Sequence, residues 1–144
     1  MLIGEYIHVL DNKKRVSLPS KFRRELGKKL VITHGLDNCL FLYTQKEWEK
    51  ISSKISELGM AQADSRGFNR FILAGAVETE VDSSGRILIP DFLREFAGLE
   101  ERVVFAGIHN RVEIWNEARW RSYKSQIEKQ ADSMAEKLGD AGML

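Results

Sequence analysis

Asp11, Arg15 and Pro19 stand at intervals of four residues in DNKKRVSLP, and the same intervals return in DSSGRILIP at Asp82, Arg86 and Pro90. A carboxylate, then a guanidinium, then a ring-locked φ are parts for aiming a charge rather than for breaking a bond. The Asp-x-x-Gly order of DSSGR predicts a type I turn followed by a left-handed residue, the three-residue hairpin loop with a bulge. In such a turn the Asp side chain accepts hydrogen bonds from nearby backbone amides, and Gly85 takes a positive φ without a Cβ penalty. Arg86 then leaves the turn at the first position of the outgoing strand. Taken singly, the motif is ordinary hairpin chemistry, with the Arg pairing its own Asp or solvating the loop. Two facts argue for more: both copies keep an Arg that turn geometry does not require, and the first copy adds Lys13 and Lys14.

A tight basic loop carrying an Arg on a rigid hairpin suits nucleic acid. The lysines attract phosphates through a salt-sensitive, sequence-blind term, while an Arg is able to contact guanine O6 and N7 bidentately in the major groove. Lys21, Arg23 and Arg24 follow closely and read either as a solvated helix face or as secondary phosphate contacts. Other chemistry is thin. His8, His34 and His109 lack close ligand spacing, so no metal or other cofactor is expected. Cys39 is the only cysteine; it excludes an intrachain disulfide and reads as a small buried hydrophobe. No phosphate loop, dinucleotide fingerprint, nucleophile elbow or zincin motif is present, and no catalytic residue is assigned. Trp48 and Trp120 are equivalent helical positions, which favours packing over base stacking.

The elements that must position these residues come in two copies. Asp11, Arg15, Pro19, Arg23 and Gly27 align with Asp82, Arg86, Pro90, Arg94 and Gly98 at an offset of 71. After a one-residue slip, Val31, Gly35, Asn38 and Trp48 align with Val103, Gly107, Asn110 and Trp120. Such self-similarity decides the architecture before any local reading. Each copy reads ββαββα: YIHVL and RVSLP as strands about the turn, a short helix after the Pro, strands KLVITHG and CLFLYT, then a longer helix. Thr44 and Asn116 stand where N-caps belong. Residues 1–60 and 75–144 are the two expected repeats, the second ending in a helical tail. Residues 61–74 are the expected connector, with Gly67 breaking AQADSRGFNRFILAGA as it leads into a strand. A module of about 65 residues has a marginal core alone, so the copies are expected to share one.

The chain has 144 residues, 43% of them hydrophobic and 30% charged, which places it among soluble globular proteins. No membrane span or signal peptide is legible, and a cytoplasmic location is expected. A net charge of +1 conceals a gradient. Residues 11–30 carry eight basic against two acidic side chains, a net of +6, whereas residues 82–102 carry three against five, a net of −2. On this count the Arg86 copy is acid-flanked, and Arg15 is the expected stronger contact.

Two D-x-x-x-R hairpins, each followed by P-x-x-[FL]-R, then V-x-x-x-G and an aromatic-ended strand, joined by RFILAGAVETEVDSSGRILIP, resemble the MraZ family, regulators of the bacterial division and cell wall gene cluster. The resemblance covers nearly the whole chain, the tail after about Ser125 least closely. It implies an α+β fold, an AbrB-like swapped-hairpin β-barrel core built from the two repeats, with helices packed outside. It further implies a ring-like homo-oligomer that binds direct repeats in promoter DNA, including that of its own gene, usually as a repressor, and hence association with the nucleoid. The DNA-contacting loop carries over onto Asp11, Lys13 and Arg15, with Asn12 and Lys14 in the same loop and Asp82 and Arg86 in the second copy. The family usually has Gly before the first Arg; Lys14 stands there in this chain and must go left-handed if the loop keeps its shape. A swapped-hairpin module of antitoxin type, whose tail SQIEKQADSMAEKLGD occupies a protein partner, is the alternative. No small-molecule substrate is expected.

Overall fold

The computed structural model describes residues 1–144. The first repeat runs β1 (Leu2–Val9), β2 (Arg15–Ser17), α1 (Ser20–Leu26), β3 (Lys29–His34), β4 (Leu40–Thr44) and α2 (Gln45–Ser56). After α3 (Ala63–Asn69) and a π-helical turn (Arg70–Ala74), the second runs β5 (Val77–Glu80), β6 (Arg86–Leu88), α4 (Asp91–Ala97), β7 (Arg102–His109), β8 (Val112–Asn116) and α5 (Glu117–Asp140).

The repeats exchange strands. An antiparallel six-stranded sheet has the order β1-β7-β8-β4-β3-β5, and β2 pairs with β6 in a separate two-stranded ribbon. The opening strand of each copy thus joins the other copy, β1 lying on β7 from Leu2↔His109 to Val9↔Arg102 and β5 on β3 from Ile32↔Val77 to Lys29↔Glu80. This is the swapped-hairpin arrangement. Each turn closes with a single strand-type bond, Asp11 N–H to Arg15 O and Asp82 N–H to Arg86 O, both 2.9 Å, before its two strands part. The sequence expectation of a local hairpin therefore holds only at the turn. The expected barrel stays open, because β1 and β5 are sheet edges and the three-residue ribbon closes onto neither by a strand ladder.

The core belongs to both copies. Val16, Leu18 and Phe22 of the first are buried together with Ile87, Ile89 and Leu93 of the second, at matching positions of the repeat. Fully burying such a side chain contributes about 1.5–3 kcal/mol, so the exchange gives two small modules one adequate interior. Thr44 Oγ1 accepts from Glu47 N–H at 3.1 Å and Asn116 Oδ1 from Arg119 N–H at 3.0 Å, so both expected N-caps are made. Trp48 packs on Tyr43 and Trp120 on Trp115, each half-buried over the last strand of its own repeat. Trp120 and Lys124 of α5 both donate to Glu5 on β1, a further tie between copies.

The connector differs from its reading. Helix α3 runs through Gly67 and continues into the π-helical turn, where a loop and strand lead-in were expected. Side chains of β3 accommodate that turn: Thr33 Oγ1 donates to Ile72 O at 2.7 Å, and His34 Nδ1 lies 2.9 Å from Phe71 O while its ring stacks on Phe71.

Candidate nucleic-acid interface

Both motif turns are built alike. The Asp11 carboxylate accepts from Lys13 N–H at 2.8 Å and Arg15 N–H at 2.9 Å, and Lys14 N–H donates to Asp11 O at 3.1 Å. The Asp82 carboxylate accepts from Ser84 N–H and Arg86 N–H, both 2.9 Å, and Gly85 N–H donates to Asp82 O at 3.0 Å. Gly85 has φ 78° and Lys14, in the equivalent place, φ 63°. The first loop therefore keeps the shape of the second despite its lysine. The amide of the following Arg, above all, holds each Asp carboxyl below the usual carboxylate range, with the Lys13 or Ser84 amide and the arginine charges helping.

Each turn is braced by the opposite copy. Leu18 N–H donates to Gly85 O at 2.9 Å, and Ile89 N–H to Lys14 O at 3.2 Å. Arg23 Nε donates to Leu18 O at 2.9 Å and lays its guanidinium on Gly85, where a Cβ would come within 2.5 Å of Arg23 Cζ. Arg94, its repeat mate, donates from Nε to Ile89 O at 3.1 Å and lines a cavity of about 400 Å³ with Asp11, Lys14, Glu100 and Glu101. The exchange thus corrects the charge picture drawn from the linear sequence. It sets basic Arg23 of α1 against the second turn, and acidic Glu100 and Glu101, in the segment between α4 and β7, beside the first, where Leu10 N–H donates to Glu101 O. The bracing role of Arg23 and Arg94 was not read from the sequence, although their common offset of 71 was its signal.

The two turns lie side by side. Arg86 Nε donates to Asp82 Oδ2 at 3.0 Å and its Nη1 stands 3.7 Å from Asp11 Oδ2, so one guanidinium spans both loops. Arg15 Nε lies 3.6 Å from the same Asp11 oxygen and, though buried, has no hydrogen-bond partner. Both arginine side chains are about one-third exposed, 30% and 32%. Asn12, Lys13 and Lys14 are exposed at the tip of the first turn, Ser83 and Ser84 at the tip of the second. Lys21, Arg23 and Arg24 are exposed on α1. Elsewhere, burial pushes the Cys39 thiol up, leaving it no nucleophile near neutral pH.

Comparison with known proteins also finds the chain doubled. The family described as "MraZ protein, putative antitoxin-like" matches residues 1–71 and again 72–140. The chain belongs to the MraZ family. It is 50% identical over 143 residues to "Transcriptional regulator MraZ" of Caldicellulosiruptor saccharolyticus, covering 99% of this chain and 100% of that protein. It is 51% identical over 138 residues to the protein so named of Caldanaerobacter subterraneus, 96% of each. With that of Acetivibrio thermocellus it shares 49% over 143 residues, 99% of this chain and 100% of the relative. These MraZ relatives are named as regulators of transcription, not as enzymes.

Proposed function

We propose that this MraZ-family transcription regulator binds promoter DNA sequence-specifically through its paired turns and represses its own division and cell wall gene cluster. The carrying observation is the juxtaposition itself: two turns bridged by the Arg86 charge, holding Arg15 and Arg86 beside the exposed tip Asn12–Lys13–Lys14. Lys13 and Lys14 supply the electrostatic term, Arg15 the base contact, and Asp11 and Asp82 keep the turns in shape. Arg86 stands beside Arg15 at the same face, paired with both Asp residues. Lys21 and Arg24 are secondary phosphate contacts, and Arg23 joins them with the part of its guanidinium not laid on Gly85.

One such face is small, so direct repeats in the promoter and a ring-like homo-oligomer provide the avidity. Support for self-association comes from β1, a sheet edge whose outer face leaves Ile3 61% and Val9 51% exposed. A DNA partner places the protein in the cytoplasm at the nucleoid.

The test is fluorescence anisotropy with DNA from upstream of the gene against scrambled DNA, across a salt series. Arg15→Ala should lose the preference, worth about 1–3 kcal/mol per bidentate base contact, while a weaker salt-dependent term remains. No preference in the wild type at any salt would overturn the reading. A protein-partner reading of antitoxin type then gains, on one observation: α5 carries Ile127, Met134 and Leu138 along a stripe whose residues are at most half-buried.

A further inference from the structure

Although the two copies of the motif match in sequence, their ion pairs do not match in the fold. Arg86 is held twice, by Asp82 at hydrogen-bond distance and by Asp11 across the gap between the loops. Arg15 is held by Asp11 alone, at 3.6 Å, and no pair joins it to Asp82. The reason lies in one atom. Asp11 Oδ2 stands between two guanidiniums, 3.6 Å from one and 3.7 Å from the other, and within hydrogen-bond reach of neither. Its counterpart, Asp82 Oδ2, has a single claimant and closes on it at 3.0 Å. Arg15 Nε is consequently left as a buried donor without an acceptor, a state that costs free energy until some acceptor is met.

We propose that Arg86 is a positioning residue: by drawing the Asp11 carboxylate toward itself, it keeps Asp11 from clamping Arg15 and leaves the Arg15 guanidinium free to turn onto DNA. The inference rests on the DNA-binding reading above, and it divides labour between two arginines that the repeat makes equivalent. Arg86 is the brace and Arg15 the reader. A fork-shaped guanidinium suits the bracing role because it addresses two carboxylates at once from fixed directions, which a lysine ammonium does not.

Removing the brace should let Asp11 close on Arg15 as Asp82 closes on Arg86. Arg86→Gln should therefore weaken specific binding about tenfold, yet leave the slope of log affinity against log salt unchanged, since no phosphate contact is lost. Adding Asp11→Asn should restore most of the loss: its Oδ1 still accepts the Lys13 and Arg15 amides, while the clamping charge is gone. A double-mutant cycle reads that coupling. Independently of DNA, the Arg15 Nε–H and Lys13 amide NMR signals of the free protein should move in Arg86→Gln. The Ser84 amide should stay put in Arg15→Gln. Two outcomes overturn the proposal: an Arg86→Gln loss that Asp11→Asn does not relieve and that lowers the salt slope by about one, which marks Arg86 as a direct contact, or equal disturbance of each turn by the other's arginine. Arg86→Lys decides the matter if Arg86→Gln fails to fold: an ammonium that reaches one carboxylate only should free Asp11 to close on Arg15 and move the Arg15 Nε–H signal, and an unmoved signal overturns the proposal. Wild-type protein without specific binding, but with the one-way NMR shifts, would sink the DNA reading and leave the brace standing.

Discussion

Lys14 carries a left-handed backbone, φ 63°, in the place where Gly85 carries φ 78° at no steric cost. Left-handed geometry costs an L-residue about 1–2 kcal/mol, and glycine gives back roughly 0.4–1 of that through the entropy of its unfolded chain. Lys14→Gly should thus raise stability by roughly 0.5 kcal/mol in urea unfolding while weakening non-specific DNA binding and flattening its salt dependence. Gly85→Ala should do the reverse to stability, since its methyl meets a guanidinium that Leu18 O holds in place. The Asp residues that shape these turns give an acid dependence of definite sign. Both folded carboxyls titrate below the unfolded value of about 3.9, so their contribution is complete above that pH and is lost as pH falls through the lower folded values. Urea midpoints followed below pH 5 should fall less steeply in Asp82→Asn than in wild type, because the amide keeps an acceptor and no longer titrates.

Helix α5 begins at Asn116, whose side chain works in two directions: Oδ1 caps Arg119 N–H, and Nδ2 donates to Gly98 O at 2.7 Å, the residue that ends α4. Thr44 makes only the cap of α2. Replacing a cap by Ala costs typically ~1 kcal/mol, and Asn116→Ala should exceed Thr44→Ala by roughly the worth of one further hydrogen bond, another ~1 kcal/mol, in thermal or chemical unfolding. Both caps were legible in the sequence because capping is local, as were the two turns, the Pro-led short helices and the strand phases. The run from Ala63 to Ala74 was not. Gly67 reads as a breaker, yet it sits in open space on α3, and the π-helical turn leans on Thr33 and His34, more than thirty residues away. Strand pairing was equally hidden, since alternation marks a strand's faces but not its neighbour. The swap was carried by family resemblance alone, and with it went the true surroundings of the Arg15 loop: the acidic Glu100 and Glu101 lie beside it only after the exchange.

At the scale of the molecule, each turn is shaped by its own repeat but set in place by ties that cross between repeats. β1 needs β7, β5 needs β3, the ribbon takes one strand from each copy, and the turns rest on Leu18 and Ile89 of opposite copies. A fragment of residues 1–74 keeps β3 and β4 but leaves β1 and β2 without partners and exposes Val16, Leu18 and Phe22, each 2% exposed or less in the whole chain. A fragment of residues 75–144 loses the partners of β5 and β6 in the same way. Losing those ladders together with half of a shared interior removes more than the few kcal/mol that a module of this size holds in reserve. Each fragment alone should therefore show no cooperative unfolding transition, and an equimolar mixture should regain one, together with the amide shifts of Lys13 and Ser84. Folding of either half by itself, with its own first two strands paired as a closed hairpin, would mean that the exchange is a choice the repeats make when joined rather than a condition of their stability. In that case the contact between the two turns, and the asymmetry of Arg15 and Arg86 built on it, would depend for its persistence on the segment that joins α2 to β5.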